Sequence, residues 1–167
     1  MRILGIDPGL AIVGFGFVDK QGNKLTPVQY GSIQTEAHTP EAERLMHVYD
    51  GIVQLIDRYE PEEIALEKLF FSRNVTTALP VAQARGVVVL AAVQRGLRIS
   101  EYTPIQVKQA VVGYGKAEKK QVQEMVKLLL KLSAVPKPDD VADALAVAVC
   151  HAHSVSLNSK LNEVLRK

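Results

Sequence analysis

Three strand-like runs joined by short turns fill residues 1–34, and beyond them helical and strand-like segments alternate. This order restricts the fold more than any single motif. Residues 2–6 ("RILGI"), 12–18 ("IVGFGFV") and 28–34 read as strands, and Gly14 and Gly16 share one face of the second by its two-residue period. Turns this short permit only antiparallel pairing. A helix follows, with Thr39 as N-cap, Pro40 in the first turn and one apolar stripe of Leu45, Val48, Ile52, Leu55, Ile56 and Tyr59, ended by Pro61. Residues 64–67 ("IALE") form a buried strand which, reached through a helix, lies parallel to an earlier one. An Ala-rich helix over 75–94, bent or delayed by Pro80, leads to a short strand at 98–102. Thr103-Pro-Ile-Gln106 is a capping box opening a helix to about 112, and a further helix over 117–132 turns Val122, Val126, Leu129 and Leu130 inward. The segment 140–151 is apolar nearly all round, as in a helix buried in a core. The expectation is one α/β domain over 1–153, a mixed five-stranded sheet with its first three strands antiparallel and helices on both faces, then a loose polar tail over 154–167.

Bulk properties narrow the class. With 167 residues, 47% hydrophobic and 23% charged, the chain suits one soluble domain with a substantial core. No apolar run approaches the roughly 20 residues needed to span a bilayer, and Asp7-Pro8-Gly9 breaks the N-terminal apolar run too early for a signal-peptide core. The lone Cys150 has no internal disulfide partner, which points to a reducing, cytoplasmic setting. A net charge of +2 conceals segregation: residues 36–67 hold nine acids and two arginines, whereas 68–137 hold twelve Lys or Arg and three Glu. A basic half beside an acidic cluster suits a protein that grips phosphates around an acidic centre, although lysines that merely solvate helix faces give the same count.

Four carboxylates stand in near-apolar contexts. Asp7 ends the first strand, at "LGIDPG", and Glu67 ends "IALE"; if those strands are parallel neighbours, both acids leave the same sheet edge, where open α/β sheets place their sites. Asp140 and Asp143, three apart at a helix start, share one face. Each has an ordinary explanation alone: a turn cap for Asp7, a lysine partner for Glu67, the helix macrodipole for Asp140. Together they require compensation, and hard oxygen donors without His or Cys select Mg²⁺ or Mn²⁺. Two such ions about 3.5–4 Å apart would clamp the attacking and leaving oxygens of a phosphodiester displacement.

Two other motifs fail. "GYGKA" lacks the first glycine and the Ser/Thr of a phosphate loop, and "CHAH" (residues 150–153) is too compact for one tetrahedral zinc site, so its members read as core and surface residues.

With "LGIDPG", "AxExxF" at Ala65 to Phe70, "QARG" at Gln83 to Gly86, "QVKQAVVGYGKAEKxQV" and "DDVADALA", the chain resembles the RuvC family of bacterial Holliday-junction resolvases over nearly all of residues 1–153. The resemblance implies an RNase H-like fold, a homodimer, and Mg²⁺-dependent symmetric nicking of four-way junction DNA that leaves ligatable ends. It also implies T-rich cleavage sites and cooperation with the RuvA–RuvB branch-migration complex. By the same resemblance the acidic centre falls on Asp7, Glu67, Asp140 and Asp143, the last replaced by His in some relatives. The base-stacking aromatic falls on Phe70 beside Phe71, the functional lysines on Lys108 and Lys119, and DNA contacts on Arg73 and Asn74. Arg85 reads as structural, at a dimer interface, and Lys120, Lys127 and Lys131 as solvent-exposed. The alternatives are an RNase H-like nuclease of different substrate, an actin-like ATP-binding module, which "GIDPGLAIVGFG" also resembles but which needs far more chain, and a catalytically silent DNA-binding protein.

Overall fold

The computed structural model describes residues 1–68 and 75–165. Five strands, β1 (Arg2–Asp7), β2 (Ile12–Gln21), β3 (Lys24–Gln34), β4 (Glu63–Glu67) and β5 (Arg98–Tyr102), make one sheet in the order β3-β2-β1-β4-β5. β1 and β2, and β2 and β3, pair antiparallel, while β4 lies parallel to β1 and β5 parallel to β4. This is the expected mixed sheet. The β2–β3 turn is tighter than the sequence suggests, because Gly22 at φ 58° lets both strands run up to a two-residue hairpin turn.

Helices cover both faces. α1 (Glu41–Tyr59) and α2 (Val75–Gln94) lie on one side, over Leu4, Ile6, Ile64 and Leu66; α3 (Pro104–Val112), α4 (Lys119–Leu129) and α5 (Asp139–Leu165) lie on the other, over Ile3, Val18 and Ala65. The alternation of neighbours along β1 and β4 between the two cores is the period of a strand buried on both faces. It also fixes that Gly5 and Asp7, like Ala65 and Glu67, face the α5 side.

Helix boundaries follow local chemistry. The Thr103–Gln106 capping box is present, and Gly113 at φ 95° closes α3. α1 is capped differently from the reading above: Pro40 itself is the N-cap, with no side-chain cap. α4 begins at Lys119 behind a second capping box, Glu118 with Gln121, which shortens it relative to the apolar pattern. The loose tail expected beyond 153 is instead a continuation of α5 to Leu165. No Gly or Pro interrupts 139–165, and the Ser154 and Ser156 hydroxyls donate to the Cys150 and Ala152 carbonyls one turn back.

Three glycines seat α5 against the sheet. A methyl on Gly5 would lie 2.1 Å from the Ala144 carbonyl oxygen, one on Gly14 2.0 Å from the Asp140 carbonyl oxygen, and one on Gly16 2.5 Å from Leu145 Cδ2. Bare backbone at these points is what lets the first turns of α5 lie directly on β1 and β2. Among the described residues no helix is long and apolar enough to cross a membrane.

Gly14→Ala should therefore lower the melting temperature by about 2–12 °C, from roughly 1–3 kcal/mol of overpacking. Calorimetry checks this; an unchanged value would mean that the helix can ride up without loss.

Candidate functional site

Asp7 and Glu67 leave the carboxyl ends of the two central parallel strands. The β1–β4 register runs to Ile6 opposite Leu66, so Asp7 and Glu67 follow as the next pair on the α5 face. On its other side Asp7 is paired with Gly14, and Gly14 is where the Asp140 backbone rests. The glycine seat thus brings the first turn of α5, with Asp140 and Asp143, down beside Asp7.

The electrostatics follow from this proximity. Burial first, then the charges of Asp143, Asp140 and Glu67, push the Asp7 carboxyl up to about 7 from 3.8. Glu67 is raised by burial and by Asp143, against Lys108 and Lys119. Asp143 is also raised, by burial and by Asp139 and Asp140, although Lys119 holds it down. Carboxylates from three distant segments therefore lie close enough to perturb one another, and two of them, Glu67 and Asp143, line one cleft.

Two lysines enter the same space. Lys119, the first residue of α4, places Nζ 2.8 Å from Asp143 Oδ2 and 3.7 Å from Asp139 Oδ2. Desolvation opposes its charge, but the hydrogen bond and charge of Asp143, with Asp139 and Asp7, keep its pKa above the ordinary value. Lys108, on α3, lines the same cleft as Glu67, Asp143 and Lys119. The donors are hard oxygens, the set suited to a divalent cation such as Mg²⁺ or Mn²⁺. Among the described residues no three of them stand at ligand spacing around one point.

Phe70, Phe71, Arg73 and Asn74 lie outside the described residues. Arg85 forms an ion pair with Glu101 across α2 and β5, consistent with a structural reading. The "CHAH" side chains go to separate partners: Cys150 Sγ donates to the Gln106 carbonyl, and His153 Nδ1 meets the Ala110 carbonyl at 3.0 Å.

His151 is buried, with Nε2 2.7 Å from Glu63 Oε2 and Nδ1 2.7 Å from the Tyr102 hydroxyl. Burial holds its pKa below the ordinary value despite Glu63. A neutral ring protonated on Nε2 satisfies both contacts, donating to Glu63 and accepting from Tyr102. This bridge between α5, β4 and β5 escaped the reading of the sequence. Its signal was the spacing of Glu63 and Glu67, which the two-residue period puts on the same sheet face.

A mixed sheet of this order, with desolvated carboxylates at the end of its central parallel strands, defines an RNase H-like α/β protein with an acidic centre. The family model described as "Crossover junction endodeoxyribonuclease RuvC" matches residues 3–151. A protein of that name from Brevibacillus brevis is 64% identical over 152 residues, covering 91% of this chain and 92% of its own length. Its namesake in Desulfitobacterium hafniense is 58% identical over 165 residues, with 99% and 100% covered. The solved Thermus thermophilus RuvC in complex with Holliday junction substrate superposes with a TM-score of 0.89 at 36% identity, covering 95% of this chain and 96% of that one. The chain belongs to the RuvC family.

The Asp7 shift has a stability consequence. The folded chain holds the Asp7 proton more tightly than the unfolded chain, so this group's contribution is complete below about pH 4 and is lost as pH rises to about 7. The full shift corresponds to roughly 4 kcal/mol. In chelator, Asp7→Asn should melt several degrees above the wild type at pH 8, and the gain should vanish near pH 4. A pH-independent difference would place the effect elsewhere.

Proposed function

We propose that this chain is a Holliday-junction resolvase, an endodeoxyribonuclease that cuts four-way junction DNA by paired, symmetric nicks in strands of like polarity during recombination and repair. The observation that carries this reading is the joint desolvation of Asp7, Glu67 and Asp143 at one sheet edge, in a chain of the RuvC family. It favours catalysis over a silent DNA-binding role, which has no use for buried like charges.

Asp7, Glu67, Asp140 and Asp143 are the residues that would hold two divalent cations, Mg²⁺ with Mn²⁺ as substitute, and these supply charge stabilisation for the attacking and leaving oxygens and a more acidic bound water. The carboxylates reach that role by shedding the Asp7 proton and by releasing Asp143 from Lys119. Lys119 is then free to meet a non-bridging phosphate oxygen, and Lys108 approaches from the α3 side. The apolar ends of β1 and β4 keep the carboxylates out of bulk water, which strengthens each interaction with the phosphate. Phe70, with Phe71 beside it, would stack on an unpaired base at the junction centre, and Arg73 and Asn74 would contact the backbone.

Symmetric nicks need two sites, and a second copy supplies the other. α2 offers a surface for it: Leu79, Leu90 and Val93 are 62%, 52% and 60% exposed on one face, and Gly86 on that face has open space where a side chain would be. A role beside RuvA–RuvB in the cytoplasm follows from the same reading.

Asp7→Asn should retain junction binding in Ca²⁺ while losing Mg²⁺-dependent cleavage by at least about a thousandfold, measured on a labelled mobile four-way junction beside a matching linear duplex. Retained cleavage would remove Asp7 from the centre. Leu90→Asp should sediment as a monomer and yield single rather than paired nicks, and a dimeric variant would move the interface off α2.

A further inference from the structure

The first turn of α5 carries two acids, Asp139 and Asp140, and the acidic centre takes only the second. Asp139 has a different neighbour. It stands four residues before Asp143 on the same helix, so the two carboxylates share a face one turn apart, a like-charge spacing that weakens a helix. Lys119 of α4 lies between them, with Nζ 2.8 Å from Asp143 Oδ2 and 3.7 Å from Asp139 Oδ2. The other Asp139 oxygen, Oδ1, accepts from Lys137 Nζ at 2.8 Å, which leaves Oδ2 for Lys119. Lys137, Asp139, Lys119 and Asp143 thus form a chain of alternating charge that runs from the α4–α5 connection into the cleft.

We infer that Asp139 is a positioning residue, which keeps the Lys119 ammonium at the cleft when Asp143 is drawn away from it. The inference rests on the nuclease reading above, in which Asp143 gives up Lys119 before the lysine meets a phosphate oxygen. Three features select Asp139. It already lies within ion-pair reach of Nζ, and closing 3.7 Å to an ordinary hydrogen-bond length takes a shift of only about 1 Å. It stands further toward solvent than Asp143, 45% against 26% exposed, so it holds the lysine at the mouth, on the side from which a backbone phosphate arrives. The ammonium has three donors, so one contact to Asp139 leaves others for the phosphate, whereas a long flexible stem with no partner swings into water. A helix-start acid favoured by the macrodipole accounts for a carboxylate at this position but not for its shared hold on Lys119.

The test reads the lysine directly and then the reaction. Protein carrying ¹⁵N-labelled lysine is held in chelator without DNA, and the Lys119 ammonium resonance is identified by its absence from Lys119→Met. A held ammonium exchanges its protons slowly enough to be seen, and a freely solvated one does not. Asp143→Asn should keep the resonance, because Asp139 retains the group, and Asp143→Asn combined with Asp139→Asn should lose it. In protein otherwise wild type, Asp139→Asn should slow single-turnover junction cleavage about fivefold without weakening junction affinity in Ca²⁺. Asp139→Glu should restore the rate to within about twofold, and Asp139→Asn should cost nothing further in Lys119→Met. Loss of the resonance in Asp143→Asn alone, an unchanged rate in Asp139→Asn, or a loss undiminished in Lys119→Met would overturn the inference while leaving the nuclease reading intact. Failure of the wild type to cut the unmodified junction would instead remove the nuclease reading, and with it the role in cleavage, whatever the resonance shows.

Discussion

The close seating of α5 on the strands is the contact from which the rest of the structure follows. Gly14 has no side chain where the Asp140 carbonyl oxygen rests, and Gly5 none where the Ala144 carbonyl oxygen rests. Without those gaps the helix would stand off by the thickness of a methyl group, and its first-turn acids would be separated from Asp7 and Glu67. Everything distinctive about the cleft then follows from proximity. Carboxylates brought together out of water raise one another's pKa, draw Lys119 toward Asp143, and leave a site whose charge is best balanced by cations. The destabilising crowd and the chemical capacity are the same feature.

The two faces of the sheet divide the labour. α1, on the face away from the cleft, carries Glu41, Glu43, Asp50 and Asp57 against Arg44 and Arg58. α3 and α4, on the cleft side, carry Lys108, Lys119, Lys120 and Lys127 against Glu124. On that same side α5 brings Asp139, Asp140 and Asp143, so the lysines of α3 and α4 stand beside acids rather than apart from them. The apolar α2 face belongs to the other layer, so a second copy docked there leaves the cleft open.

Much of this was legible in the sequence because the signals were local or periodic. The three-strand start, the capping box at Thr103, the β5 span and the alignment of Gly14 with Gly16 all rest on spacings of two to four residues. The pairing of Asp7 with Glu67 was legible one step further, since a helix between two strands makes them parallel. What escaped depended on contacts that spacing does not encode. The polar composition beyond 153 suggested a tail, yet a segment without Gly or Pro continues a helix already propagating, whatever its polarity. Glu63 shares a sheet face with Glu67 by its spacing, but its partner His151, far along the chain, has no local signature. The tie between Lys119 and Asp143 likewise depends on how α4 approaches α5, which only coordinates reveal.

The central claim, that cation binding and the Asp7 proton compete for one crowded pocket, can be read directly by calorimetric titration of Mn²⁺ into the DNA-free protein in buffers of different ionisation enthalpy. With the Asp7 carboxyl near 7, binding should release about half a proton per site at pH 7 from this group, more at pH 6 and almost none at pH 9, and Asp7→Asn should abolish the release. Mn²⁺ binding without proton release across that range, or release unchanged in the Asn variant, would contradict the account.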